Sequence, residues 1–174
     1  MAKSTVIIAV IIIAIFAAIA GIAQLVSSHL NNSPEDIYSF VYAAGKFHEK
    51  IEGTGLVENI PTLTESVAQG PTDGSPEVSS SIQQGILSAK GYKDQYNWLI
   101  PTSQTLELYS SLVKEGSLLQ RCYSRLNLAW SEKLAGNESQ CSQYLEEATE
   151  FYDELVPLRA QNKLTIDELL IQYE

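Results

Sequence analysis

Two histidines, two cysteines and one methionine are all the soft-ligand chemistry in this chain of 174 residues. His29 and His48 stand nineteen residues apart, and neither belongs to an H-E-x-x-H or comparable metal spacing. The sequence also lacks a C-x-x-C pair, a glycine-rich phosphate loop and a G-x-S-x-G elbow. These absences remove the usual sequence routes to metal, nucleotide and serine-nucleophile chemistry. No cofactor is expected, and the chain reads as non-catalytic. Basic residues are scarce too. Eleven Lys and Arg face 21 Asp and Glu, a formal net charge of −10. Phosphate backbones need the opposite sign, which argues against a nucleic-acid partner. Alternation at period two never persists beyond a few residues, so no strand is expected. Nor is there a repeat of 30–45 residues to suggest a solenoid.

What the chain does have is one long apolar run. Val6 to Ala23 contains no charge and no strong polar group, and after Gln24 it continues through Leu25 and Val26. About 20 helical residues at 1.5 Å rise span the ~30 Å hydrocarbon core of a bilayer. Residues 6–26 are therefore expected to form a transmembrane anchor, with 1–5 as a cytoplasmic N-terminus. A cleaved signal peptide is the rival reading, because Lys3 supplies a basic start and Ala18-Ile19-Ala20 precedes Gly21. The apolar run extends past that site, which favours retention. Lys3 is the only basic side chain before the run, and the next is Lys46. Positive flanks stay inside, so the expected topology is a single-pass cell-membrane protein with the bulk of the chain outside. The triplets Asn31-Asn32-Ser33 and Asn137-Glu138-Ser139 are compatible with that exterior location.

The exterior part holds all 21 acids and ten of the eleven bases, a formal charge of −11. Such a surface is repelled by anionic headgroups and is not expected to lie flat on lipid. Residues 27–33 form a hinge, and 34–174 form the extracytoplasmic domain. Ser33-Pro34-Glu35-Asp36 is a strong helix start, with a capping hydroxyl, proline at the first position and acids at the positive end of the dipole. Ile37, Phe40, Val41, Ala44, Phe47, His48 and Ile51 follow as a stripe, stopped by Gly53-Thr54-Gly55. Residues 54–75 read as a long connector in which the box Thr62-x-x-Glu65 opens one or two turns ending near Gly70.

Ser75-Pro76-Glu77 repeats the cap-proline-acid pattern and begins a helix that Pro101 ends. Gly85 and Gly91 each weaken it by about 1 kcal/mol relative to alanine. The next helix begins after Thr102 or Ser103 and runs to about Leu134, with Leu108, Leu112, Leu119, Cys122, Leu126 and Ala129 along one face. After Gly136, Asn137-x-x-Gln140 reads as a capping box for a helix carrying Cys141, Tyr144, Leu145, Ala148, Phe151, Tyr152 and Leu155. Pro157 is expected close to its end, and Thr165-x-x-Glu168 opens a last short helix through Ile171. The expected fold is all-α: a single N-terminal transmembrane helix plus an antiparallel bundle of about four helices.

Three groups of residues bear on function. Ala14, Ala17, Ala18 and Gly21 recur at i, i+3, i+4 and i+7 and make a small-residue face for packing against a partner helix. Tyr109, Tyr123, Trp130, Tyr144 and Tyr152 are aromatic candidates for a partner or ligand surface, or else fill the bundle core. Glu146, Glu150, Asp153 and Glu154 are expected on a solvated face, and His48 at the edge of the core. Cys122 and Cys141 lie fourteen residues before and five after Gly136. That nine-residue mismatch, about 13 Å along a regular hairpin, exceeds the ~7 Å Cα separation a disulfide tolerates. They are expected to be unpaired. The reading that fits best is a non-catalytic accessory subunit whose partner is another integral membrane protein. A ligand-binding sensory ectodomain and a membrane-tethered enzyme are the alternatives.

Overall fold

The computed structural model describes residues 33–71 and 75–174. The expected anchor 6–26, its flanks and the small-residue face at Ala14, Ala17, Ala18 and Gly21 lie outside the described residues. Among the described residues no helix is long and apolar enough to cross a membrane. The described chain forms five α-helices.

The first, α1 (Pro34–Glu52), starts as its sequence dictates. Ser33 Oγ accepts from the Asp36 amide at 3.2 Å, and Pro34 occupies the first turn. α2 (Asn59–Gln69) corrects the expected connector. It begins three residues before Thr62, which lies inside the helix and accepts from Ser66 Oγ through its carbonyl. Burial of Ile60, Leu63 and Val67 fixes this helix, and the local box does not form. α3 (Ser75–Asn97) ends four residues ahead of Pro101. The connection then closes on a turn in which Thr105 Oγ1 accepts from the Thr102 amide at 2.8 Å. α4 (Leu106–Leu134) therefore starts slightly later than Thr102 or Ser103 suggested.

α5 (Glu138–Tyr173) is the larger correction. It is one helix of 36 residues that continues through Pro157, where two were expected. Thr165 opens nothing. Its hydroxyl donates back to the Gln161 carbonyl at 3.0 Å, as a threonine inside a helix does. Asn137 precedes α5 without capping it, because its amide is turned toward Glu132 Oε2 at 2.6 Å.

Helices α3, α4 and α5 follow one another as antiparallel neighbours, with α4 between the other two. The pairs Gln83–Asn127 and Lys93–Gln120 join α3 to α4, while Lys133–Glu138, Arg125–Glu147 and Arg159–Glu115 join α4 to α5. In both sets the partner number falls as the other rises. α1 runs antiparallel to the second half of α5, where a Cβ on Gly45 would touch Ile166 at 3.3 Å. α2 closes over α3, α4 and α5. The core gathers Ile37, Val41, Ala44, Ile82, Leu112, Leu119, Leu126, Ala148 and Leu155, all within 1 % of full burial.

Candidate functional site

The least expected feature of the core is a charge. Glu115 sits on the buried face of α4 with 1 % exposure, at the helical step between Leu112 and Leu119. Removing a carboxylate from water is costly unless each oxygen finds a donor. Here each does. Arg159 Nη1 donates to Oε1 at 2.9 Å, and Asn162 Nδ2 donates to Oε2 at 2.7 Å. Both donors project from α5, one helical turn apart, and both are buried. His48 approaches from α1, its Nε2 3.5 Å from the second oxygen, without a hydrogen bond of good geometry. Arg159 Nη2 also donates to the His48 carbonyl at 3.4 Å, and Ser111 Oγ donates to the Asn162 side-chain oxygen.

These contacts tie α1, α4 and α5 together through one carboxylate. Burial pushes the Glu115 carboxyl upward. The donors gathered around it, His48, Asn162 and Arg159, together outweigh burial and hold it below the usual carboxylate range. Tyr96, fully buried on α3, has no hydrogen-bond partner for its hydroxyl. Burial first, and then the charge of Glu115, push that phenol upward.

Outward from this network, between α1 and α5, lies a cleft of about 280 Å³. His48, Glu52, Tyr152, Val156, Arg159 and Lys163 are among its walls. Glu52 faces Lys163 at 2.9 Å, and that hydrogen bond lowers its carboxyl against a smaller effect of burial. The two cations of the cleft, Arg159 and Lys163, are already paired with Glu115 and Glu52, and Glu58 adds a second carboxylate to walls that Val57 and Val156 make partly apolar. Among the described residues no cluster of three or more His, Cys, Asp or Glu side chains is placed to hold a metal ion.

The aromatic candidates do not form one surface. Tyr123 and Trp130 are buried at 1 % and 5 % exposure, and the Tyr123 hydroxyl donates to the Leu56 carbonyl at 2.6 Å. Tyr109 packs edge-on to Phe40, Tyr144 lies beneath the Arg125 guanidinium, and only Tyr152 borders the cleft. Glu146, Glu150, Asp153 and Glu154 are exposed, as a solvated face requires. Cys122 and Cys141 are free and buried.

Glu115, Arg159 and Asn162 were not singled out from the sequence. A signal existed for the first, a charged residue in register with an otherwise apolar stripe. For the other two the helical register was broken at Pro157. With α5 continuous, Arg159, Asn162 and Ile166 extend the face of Ala148 and Leu155. Fold and site together define an all-α bundle stapled by a buried ion-pair network. Comparison with protein-family models, with curated proteins and with solved structures finds no match to any of them.

Proposed function

We propose that this chain is a membrane-anchored, extracytoplasmic helical interaction protein, a non-catalytic accessory subunit of a larger membrane complex. The observation that carries the reading is the uncharged run Val6–Ala23, prolonged to Val26 and followed after seven residues by a helical domain. Two further features support it. The face Ala14, Ala17, Ala18 and Gly21 lets another backbone approach closely in lipid, where packing and not hydrophobicity drives helix association. The charges buried in the bundle are also answered by one another, so the network rigidifies a docking module without needing a substrate.

Purification in mild detergent followed by mass spectrometry of co-purifying chains tests this. A stoichiometric integral-membrane partner is expected. Replacing Ala17 and Gly21 with leucine keeps the run apolar but removes the groove, so partner yield should fall sharply while membrane localisation persists. Wild-type yield from that variant moves the assembly to the exterior bundle. The intact mass of the membrane form shows whether residues 1–20 are retained. A sensory ectodomain is the second reading, favoured by the cleft beside Arg159 and Lys163. A monomer that purifies with a small molecule in that cleft selects it.

A further inference from the structure

The three most exposed large hydrophobic side chains among the described residues stand at one end of the bundle. Trp98 and Ile100 are each 84 % exposed, and Ile171 is 81 % exposed. Trp98 and Ile100 lie in the connection from α3 to α4, bordering a shallow cleft of about 440 Å³ with Asp36, Ser39 and Phe40 of α1. Ile171 belongs to the last turn of α5, which is tied to the same end by Tyr173, whose hydroxyl donates to Gln104 at 2.7 Å. Single exposed apolar residues need no explanation, but a group of them marks a surface that meets something. The opposite end is polar. There the α4–α5 turn exposes Gly136, Asn137, Glu138 and Ser139, with Leu134 and Ala135 exposed beside them.

The path of the chain identifies what this end meets. α1 begins at Pro34, and the hinge 27–33 reaches at most about 25 Å from the end of the apolar run. The Trp98 cleft includes residues from the first three turns of α1, so it is the end of the bundle held next to the bilayer. The polar turn at Gly136 is farther away by the length of α4, about 43 Å. Tryptophan is the side chain most at home at the headgroup boundary, with an apolar ring and one polar N–H.

We propose that this end is a lipid-contacting tip in which Trp98 and Ile100 seat in the interfacial layer of the membrane that carries the anchor. The inference rests on the anchor reading above. It differs from a bundle lying flat on lipid, because an end-on contact leaves the acidic flanks of the domain in water. Asp36 in the cleft itself, with Glu35, Glu107 and Glu174 exposed near the same end, limits the tip to shallow insertion and favours a zwitterionic lipid.

The full chain reconstituted into phosphatidylcholine vesicles, with acyl chains brominated near the headgroup, tests this. The chain has two tryptophans. Trp130 is buried in the bundle, about 36 Å farther along α4 than its start, and serves as an internal reference. Bromolipid should quench the emission component that Trp98→Phe removes and spare the remainder. Ile100→Asp, at an exposed position, should restore that component while the chain still floats with the vesicles through an alkaline carbonate wash. Unquenched Trp98 emission in a chain that survives the wash overturns the tip and leaves the anchor standing. A photo-crosslinker at Ile100 that captures a protein and no lipid in native membranes overturns it as well. A chain removed by the wash overturns the anchor reading and the tip with it.

Discussion

A Cβ atom on Gly85 would stand 1.9 Å from Cε1 of Tyr123, so α3 carries glycine where α4 carries that ring. A cleft of about 440 Å³ borders both residues, but a ring that moved into it would give up its place in the core. The ring is 1 % exposed, and its hydroxyl is held 2.6 Å from the Leu56 carbonyl. Gly85→Ala gains about 1 kcal/mol in helix propensity but drives the Tyr123 ring from its seat, at a cost near the top of the ~1–3 kcal/mol range. Denaturant melting of residues 33–174, followed by circular dichroism, should show a cooperative helical transition that the variant weakens by about 2 kcal/mol. In a Tyr123→Leu background the same alanine should become neutral or favourable, since the two residues are coupled. An unchanged penalty there would place the strain elsewhere.

The Glu115–Arg159 pair makes stability depend on acid. The carboxyl lies below its ordinary value of 4.5 in the folded chain, because its donors outweigh burial. A carboxyl lowered by folding contributes stability that is complete above its unfolded pKa and disappears as pH falls through the folded one. Wild-type stability should therefore decline from about pH 4.5 downward. Glu115→Gln should have a flatter acid limb but a lower plateau at neutral pH, by about 3 kcal/mol, because Arg159 loses its buried counter-charge and keeps only the half-exposed Glu52 at 3.9 Å. Replacing Glu115 and Arg159 together with leucine and methionine should recover most of that loss. If the double variant is as weak as the single one, Asn162 and His48 depend on the carboxylate more than the ion pair does.

Much of this fold is legible in the sequence where local and tertiary preferences agree. Ser33 caps because Pro34, Glu35 and the apolar stripe behind them all favour a helix at that point. The stripes of α1 and α4 are buried almost residue for residue. Agreement fails at Thr62, Asn137 and Thr165, three capping motifs whose side chains bond elsewhere or sit inside a helix. A capping hydrogen bond contributes about 1 kcal/mol, less than burying Ile60, Leu63 and Val67 in one register, or Leu155 and Ile166 in another. The site was hidden for a related reason. A glutamate between Leu112 and Leu119 reads as an interruption until its partners are known, and those partners lie beyond Pro157 on what local rules make a different helix.

Both cysteines should remain reduced and slow to react. Cys122 is fully buried and Cys141 is 2 % exposed, and burial pushes the Cys122 thiol up to about 12. The thiolate is the reactive form, so both burial and pKa protect the site. Alkylation of the native chain by iodoacetamide should be slow at both positions and become rapid only in denaturant. Non-reducing peptide mapping should find no link between residues 122 and 141. Such a link would refute the regular α4–α5 hairpin.

Pro157 tests how far tertiary packing overrides a local rule. An interior proline forfeits one backbone hydrogen bond and crowds the carbonyl four residues earlier, about 3 kcal/mol relative to alanine. α5 accepts this because Leu155 on one side and Arg159, Asn162 and Ile166 on the other are all buried in a single helical register. Pro157 itself is exposed, so alanine there disturbs no packing. Part of the gain is returned through the freer unfolded chain, about 0.4–1 kcal/mol. Pro157→Ala should therefore raise stability by about 2 kcal/mol or slightly more in denaturant melts and leave the acid limb set by Glu115 where it was. If alanine instead destabilises the bundle and shifts that limb, the proline is what aims Arg159 at Glu115. The residue that hid the site in the sequence would then be one that builds it.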